Sequence, residues 1–354
     1  MRNGDYRQNK AIMRAFPKVE LHRHLEGAFY LPTLHRIAMT NELPYSSDLT
    51  EFKKEVQFPR DSEPDFLKFL SKFKNDWYRS HQDVYDVAHD SVRDFASDGL
   101  FYIELRFSPE HFALQNNFDR MEITRLVIQA CNDAAAEIDL HIRYLITFNR
   151  AKQDQHEMLD LYRKIRGLEI PEIVGIDLAG DEMGYPPRLF TEFFTAVKDD
   201  GIYGATIHAG EVSPSEQIWD SIDHLHASRI GHGTSSVDDP KLQKELIERS
   251  VVLEQCITSN YQTGSWVDEP NHPLGKLYRA GVPVTINSDD PTIQDTDLTD
   301  DYIKACEYFD LSIDDLVKLN LTALEGSFLP TAEKEALKTA YIKKVEAFRA
   351  ENDL

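Results

Sequence analysis

The sequence predicts an α/β protein built as a TIM (β/α)8 barrel, and three observations carry the prediction. Short β-branched, apolar runs alternate with longer amphipathic segments almost from end to end of the 354 residues, the pattern of successive βα units on a parallel sheet. Eight such runs can be counted, the number that closes a barrel. The turn after the first run reads His-Leu-Glu-Gly-Ala, whereas the competing architecture, an open doubly wound sheet, usually places a Gly-rich phosphate loop there.

The expected strands cover residues 19–25, 101–107, 141–148, 173–178, 205–208, 229–232, 251–258 and 282–287. Roughly 75 residues separate the first from the second, far more than one crossover helix needs, so a helical insertion over the barrel mouth is expected at roughly 40–98. Its strongest segment is 65–77, where Phe66, Leu67, Phe69, Leu70, Phe73 and Trp77 recur at helical spacing. That face either packs on the barrel or lines a lid. Segments 301–309, 313–328 and 332–350 read as terminal helices, and one domain is expected over 1–354, without repeat or linker.

With 41% hydrophobic and 28% charged residues the chain has ample material for a core. A formal net charge of -22 and the lack of a dense Lys/Arg stripe argue against nucleic acid and anionic membranes as partners. Cys131, Cys256 and Cys306 are widely spaced and never form Cys-x-x-Cys, so neither a disulfide framework nor a thiolate metal site is indicated. Residues 1–16 carry charges throughout, with no apolar run of signal length, and no later stretch reaches the roughly 20 apolar residues of a membrane span. A cytoplasmic location is expected.

In Val19-Glu20-Leu21-His22-Arg23-His24-Leu25 the two histidines stand two apart on a strand and so share one face. Alone, such a pair is either a metal clamp or two ordinary polar side chains. Three further strand ends change the balance, since barrel enzymes keep their chemistry on that rim. His208 ends the fifth strand, with Glu211 three positions later; His232 ends the sixth; Asp289 and Asp290 follow the eighth. Together they offer a nitrogen and oxygen donor set that suits zinc and leaves room for a water.

The segments Glu-Leu-His-Arg-His-Leu-Glu-Gly (20–27), Gly-Ile-Asp-Leu-Ala-Gly-Asp-Glu (175–182), His-Ala-Gly-Glu (208–211), Arg-Ile-Gly-His-Gly (229–233), Cys-Ile-Thr-Ser-Asn (256–260) and Asn-Ser-Asp-Asp-Pro (287–291) resemble, in this order, the signatures of the adenosine deaminase family of the amidohydrolase superfamily. The resemblance implies one zinc ion per subunit held by His22, His24, His208 and Asp289, with a hydrolytic water in the remaining position. It makes Glu211 the residue that protonates purine N1 and later serves departing ammonia, and His232 the residue that orients the attacking oxygen. His24, Glu26, Gly180 and Asp290 are implied substrate contacts, Gly180 through its backbone N–H to N3 and Asp290 to N7. Asp181 is a supporting candidate, whereas His224 and His226, at a helix end, carry no chemistry.

One departure bears on substrate. Glu26 stands where many adenosine deaminases have an Asp that meets the sugar 5′-hydroxyl, and Glu is also the pattern of related enzymes acting on free adenine. The Arg-Ile-Gly-His-Gly and Cys-Ile-Thr-Ser-Asn-Tyr-Gln-Thr stretches look instead like bacterial adenosine deaminases, and the Glu-Val-Ser after Gly210 lacks the second acid expected in adenine deaminases. The expected partner is therefore a small-molecule purine nucleoside, adenosine or 2′-deoxyadenosine, with aminodeoxyfutalosine and adenine as alternatives. A binding barrel that has lost its chemistry is disfavoured because every expected position from His22 to Asp290 still carries a competent side chain. A two-metal phosphoesterase is disfavoured because no lysine sits at the assigned strand ends.

Overall fold

The structure, a computed structural model, describes residues 9–60 and 62–354; residues 1–8, half of the charged N-terminal stretch, and residue 61, within the expected insertion, lie outside the described residues. Eight strands run β1 Lys18–His24, β2 Leu100–Phe107, β3 His141–Asn149, β4 Ile173–Ala179, β5 Gly204–Ala209, β6 Arg229–His232, β7 Val252–Gln255 and β8 Val284–Ile286. Each pairs in parallel with the next. The ring closes just past β8, where Asp289 N–H donates to His22 O at 2.9 Å and His24 N–H donates to Asp289 O at 3.0 Å. This is a TIM barrel.

The strands are buried along their length because helices cover one face and the barrel lumen takes the other. Outward residues such as Val19 and Leu21 pack under the terminal helices Ile313–Gly326 and Thr331–Asn352. The lumen is ionic instead of aliphatic. Arg229 donates to Glu254 at 2.6 Å and to Glu104, and Arg106 bridges Glu254 at 2.8 Å and Asp177 at 3.2 Å. Buried charges persist only when paired in this way, since each alone is costly to desolvate.

Two sequence expectations change. The run at 251–258 is a strand only over Val252–Gln255 and turns into a helix at Ile257–Gln262. The β-branched residues yield there to tertiary partners: Asp301 accepts from both the N–H and the hydroxyl of Thr258, and Asp289 accepts from the Ser259 hydroxyl at 2.7 Å. In the insertion, 65–77 is helical only over Phe66–Leu70. Ser71 donates its hydroxyl to Lys68 O at 2.6 Å, and Trp77 is drawn aside to stack on Tyr45 at 4.6 Å. Phe66 and Phe69 are buried whereas Leu67 is 58% exposed, so the apolar face survives in shortened form. Among the described residues no helix is long and apolar enough to cross a membrane.

Candidate active site

A cavity of about 420 Å3 opens at the C-terminal rim, and His24, Glu26, Gly180, His208, Glu211, His232, Asp289 and Asp290 all line it. His22 lies directly beneath, fully buried. All nine side chains or backbone positions singled out in the sequence thus meet in one place. Asp181 also reaches the cavity, and it caps its own turn by accepting from Met183 and Gly184 N–H. His224 and His226 are half-buried elsewhere.

Backbone geometry aims these groups. His232 (φ 61) and Asp289 (φ 62) both adopt the left-handed conformation that non-glycine residues rarely take, the kind of strain that concentrates at functional sites. Gly231 makes room below them, because a Cβ there would lie 2.9 Å from the His22 ring and 3.2 Å from that of His208. Gly27 does the same for Asp290, whose Oδ1 would be 1.8 Å from an added Cβ. Gly27→Ala is therefore expected to displace the Asp290 carboxyl and raise KM at least about tenfold, with a loss of about 1–3 kcal/mol in stability from overpacking. Steady-state kinetics beside a urea melt checks this, and an unchanged KM would contradict the placement of Asp290.

Proton positions follow from the charges. Burial opposes ionisation of Glu254, but Arg106 and Arg229 outweigh it and hold the carboxyl well below its usual range; Asp177 is likewise held ionised against burial by Arg106 and His208. An ionised carboxylate only accepts, so His22 donates Nδ1–H to Glu254 at 2.8 Å and His208 donates Nδ1–H to Asp177 at 3.0 Å. In the neutral rings Nε2 then carries the lone pair on the cavity side; for His22 burial and Arg106 favour that form, against the pull of Asp289 and Glu254, which raises its pKa. His24 Nε2 lies 3.2 Å from His208 Nε2, and Asp289 Oδ1 lies 3.2 Å from His22 Nε2 and 3.5 Å from His24 Nε2.

His22 Nε2 is buried without a hydrogen-bond partner. Three imidazole nitrogens and one carboxylate oxygen converging this closely form a donor set for a divalent cation. The donor atoms that lie within 4.8 Å of one another form two overlapping groups, His22, His208, His232 and Asp289 in one and His24, Asp177 and His208 in the other, so His24 and Asp289, expected together, fall in different groups that share His208. His232 differs from the others in orientation: its Nε2 faces Glu211 Oε2 at 3.6 Å and Asp289 Oδ2 at 3.8 Å, away from the oxygen shared by His22 and His24.

Above the cluster burial favours the neutral form of the acids. Burial, reinforced by the charges of Asp289 and Glu182, pushes the Glu211 carboxyl well above the usual carboxylate range, and burial together with Asp289 does the same to Asp290. Burial raises Glu26 to about 7 against the pull of Ser108 N–H, which donates to Oε1 at 2.5 Å. Glu211 Oε1, Asp290 Oδ1 and Glu26 Oε2 are all buried without partners.

Several members of the site were not assigned roles from sequence: Arg106, Asp177 and Glu254 behind the histidines, Ser259 on Asp289, and Asn260 beside His232. A readable signal existed for the first three, each a charged residue inside a largely apolar expected strand. Ser259 and Asn260 lay in a quoted motif whose first three residues, 256–258, were expected to end a strand, which hid the helix Ile257–Gln262 that presents them.

The model of the adenosine deaminase family matches residues 17–344. An adenosine deaminase from Pectobacterium atrosepticum is 33% identical over 335 residues, 93% of this chain and 97% of that one. Among solved structures, an amidohydrolase from Burkholderia ambifaria with bound zinc superposes with a TM-score of 0.87 at 24% identity, covering 97% of this chain and 94% of that one. An adenine deaminase from Arthrobacter aurescens superposes at 0.84 and 24% identity, covering 94% and 100%. A histidine and carboxylate cluster at the rim of a TIM barrel, with the family pattern running from residue 17 to 344, places this chain in the adenosine deaminase family.

Proposed function

We propose that the protein hydrolytically deaminates a 6-aminopurine nucleoside, adenosine or 2′-deoxyadenosine, using one zinc ion held by His22, His24, His208 and Asp289. The observation that carries this reading is Glu211, a carboxylic acid kept protonated by burial and set between the donor cluster and the open cavity. Zinc held by these four residues would supply a water of lowered pKa, about 7, as the nucleophile for C6. The rest is done by side chains. Glu211 gives its proton to N1, so that the ring takes up the attacking oxygen's electron pair without becoming an anion; the resulting carboxylate then takes a proton from that oxygen and passes it to the amine, whose C–N bond breaks to leave a C6 carbonyl and ammonia. Asp290, also protonated, donates to N7, and His232 holds the attacking oxygen.

Gly180 has φ 100, and a Cβ there would lie 2.9 Å from Asn149 Oδ1, so its backbone stays bare toward the cavity, free to meet N3. Two features favour a nucleoside over its neighbours in chemistry. A cavity of about 420 Å3, with Leu70, Phe73 and Leu114 at its outer wall, has room for more than a purine base. Glu26 leaves Oε2 free for a sugar hydroxyl, and the lining offers a single ammonium, Lys152, and no guanidinium to receive a 5′-phosphate. The buried thiols of Cys131, Cys256 and Cys306 suit a reducing, cytoplasmic setting.

Ammonia release by zinc-loaded protein on adenosine, 2′-deoxyadenosine, adenine, AMP and aminodeoxyfutalosine tests the proposal, with chelator-treated protein as control. Fast, chelator-sensitive turnover of the first two is expected. Turnover of another aminopurine alone would move the substrate, and silence on all five would overturn the enzymatic reading.

A further inference from the structure

Two residues that the proposed reaction does not use, Asn260 and His272, form with His232 a line of hydrogen bonds that starts at the backbone and ends in the cavity. Its first member is the N–H of Leu274, at the start of helix Pro273–Arg279, which lies 3.2 Å from His272 Nδ1. A backbone amide can only donate, so Nδ1 of His272 holds a lone pair. His272 is 1% exposed, and burial together with the charge of Lys304 lowers it to about 3, which leaves the ring neutral. A neutral imidazole with a lone pair on Nδ1 carries its proton on Nε2.

That proton points at Asn260 Oδ1, 3.0 Å away, and so sets the orientation of the amide. The remaining end of the amide, Nδ2, is then a donor at 3.1 Å from His232 Nδ1. His232 Nδ1 accepts in turn. Its proton sits on Nε2, the atom that faces Glu211 and Asp289.

Resting on the deaminase reading above, we infer that His272 and Asn260 are positioning residues that hold His232 as its Nε2–H tautomer, making it a hydrogen-bond donor, not a base, toward the reacting oxygen. The opposite tautomer brings two N–H groups face to face. Flipping the Asn260 amide moves that clash to His272, and switching His272 moves it to the N–H of Leu274, which has no alternative. Burial of the whole line keeps water from relieving the mismatch at any point.

The test is two-bond proton–nitrogen NMR on full-length, zinc-loaded protein with 15N-labelled histidine, read beside steady-state kinetics. Wild type should show His232 and His272 with Nε2 protonated and Nδ1 bare. In Asn260→Asp the carboxylate can only accept, and His232 should change to the Nδ1–H pattern. His272→Leu should lower kcat by about tenfold to a hundredfold with little change in KM or zinc content, the scale expected when a supporting hydrogen bond is lost. His272→Gln, which keeps an N–H toward Asn260, should restore both the pattern and most of kcat. An Nδ1–H His232 in wild type would overturn the inference, as would an unchanged His232 in Asn260→Asp. Because tautomers are read without substrate, a protein that deaminates none of the five purines while showing the wild-type and Asn260→Asp patterns would defeat the proposed function and leave the tautomer assignment standing.

Discussion

Glu211→Gln is expected to keep its metal and its fold and to lose about 10²–10⁴-fold in kcat, the range that general acid–base catalysis supplies. The glutamine amide matches the carboxylic acid in shape and, because burial keeps Glu211 protonated, in charge. The substitution therefore leaves the electrostatics around Asp289 and His232 almost unaltered and removes one thing, a proton that can be transferred. Attack at C6 cannot proceed readily while N1 stays unprotonated, because the ring must carry the incoming electron pair as an anion. Metal content by emission spectrometry, a thermal melt and kcat on adenosine form the necessary set. Retained turnover with full metal occupancy would remove Glu211 from the mechanism.

His208→Ala is expected to act on the metal and on stability together. It deletes one nitrogen of the convergent set and, behind it, leaves Asp177 to Arg106 and Thr147 alone. A ligand that binds only the folded state stabilises it by about 2.7 kcal/mol at a hundred times its Kd, so weakened binding should appear directly as a lost thermal shift. Wild-type protein should melt several degrees lower after chelation, whereas the variant should melt low with or without chelator and show at least about tenfold weaker metal affinity. A variant that holds stoichiometric metal with a wild-type chelator shift would exclude His208 from the ligand set.

The fold was legible because its signals are local. Short β-branched, apolar runs separated by helical stretches mark each βα unit, and the histidines and acids sit at strand ends where the chain turns outward. Legibility failed where distant partners overrode local preference. Val-Val-Leu-Glu-Gln-Cys-Ile-Thr reads as one strand, yet Asp301 and Asp289 draw its second half into the helix that carries Ser259 and Asn260. Residues 65–77 read as one helix, yet Trp77 finds Tyr45 and the helix stops at Leu70.

By itself the sequence determined the element order, the barrel class and the residue types gathered at the rim, since periodicity and composition are properties of neighbours along the chain. Tertiary structure alone decided where the protons and lone pairs lie. Arg106 and Glu254 are 148 positions apart, and Asp177 and His208 are 31 apart, yet their contacts turn two imidazoles toward a common point. Burial and neighbouring charges together draw Glu211 toward its neutral form and Asp289 toward its ionised form for the same reason: the charge of a carboxyl depends on how much water it has lost and which ions surround it, and only the folded chain sets either.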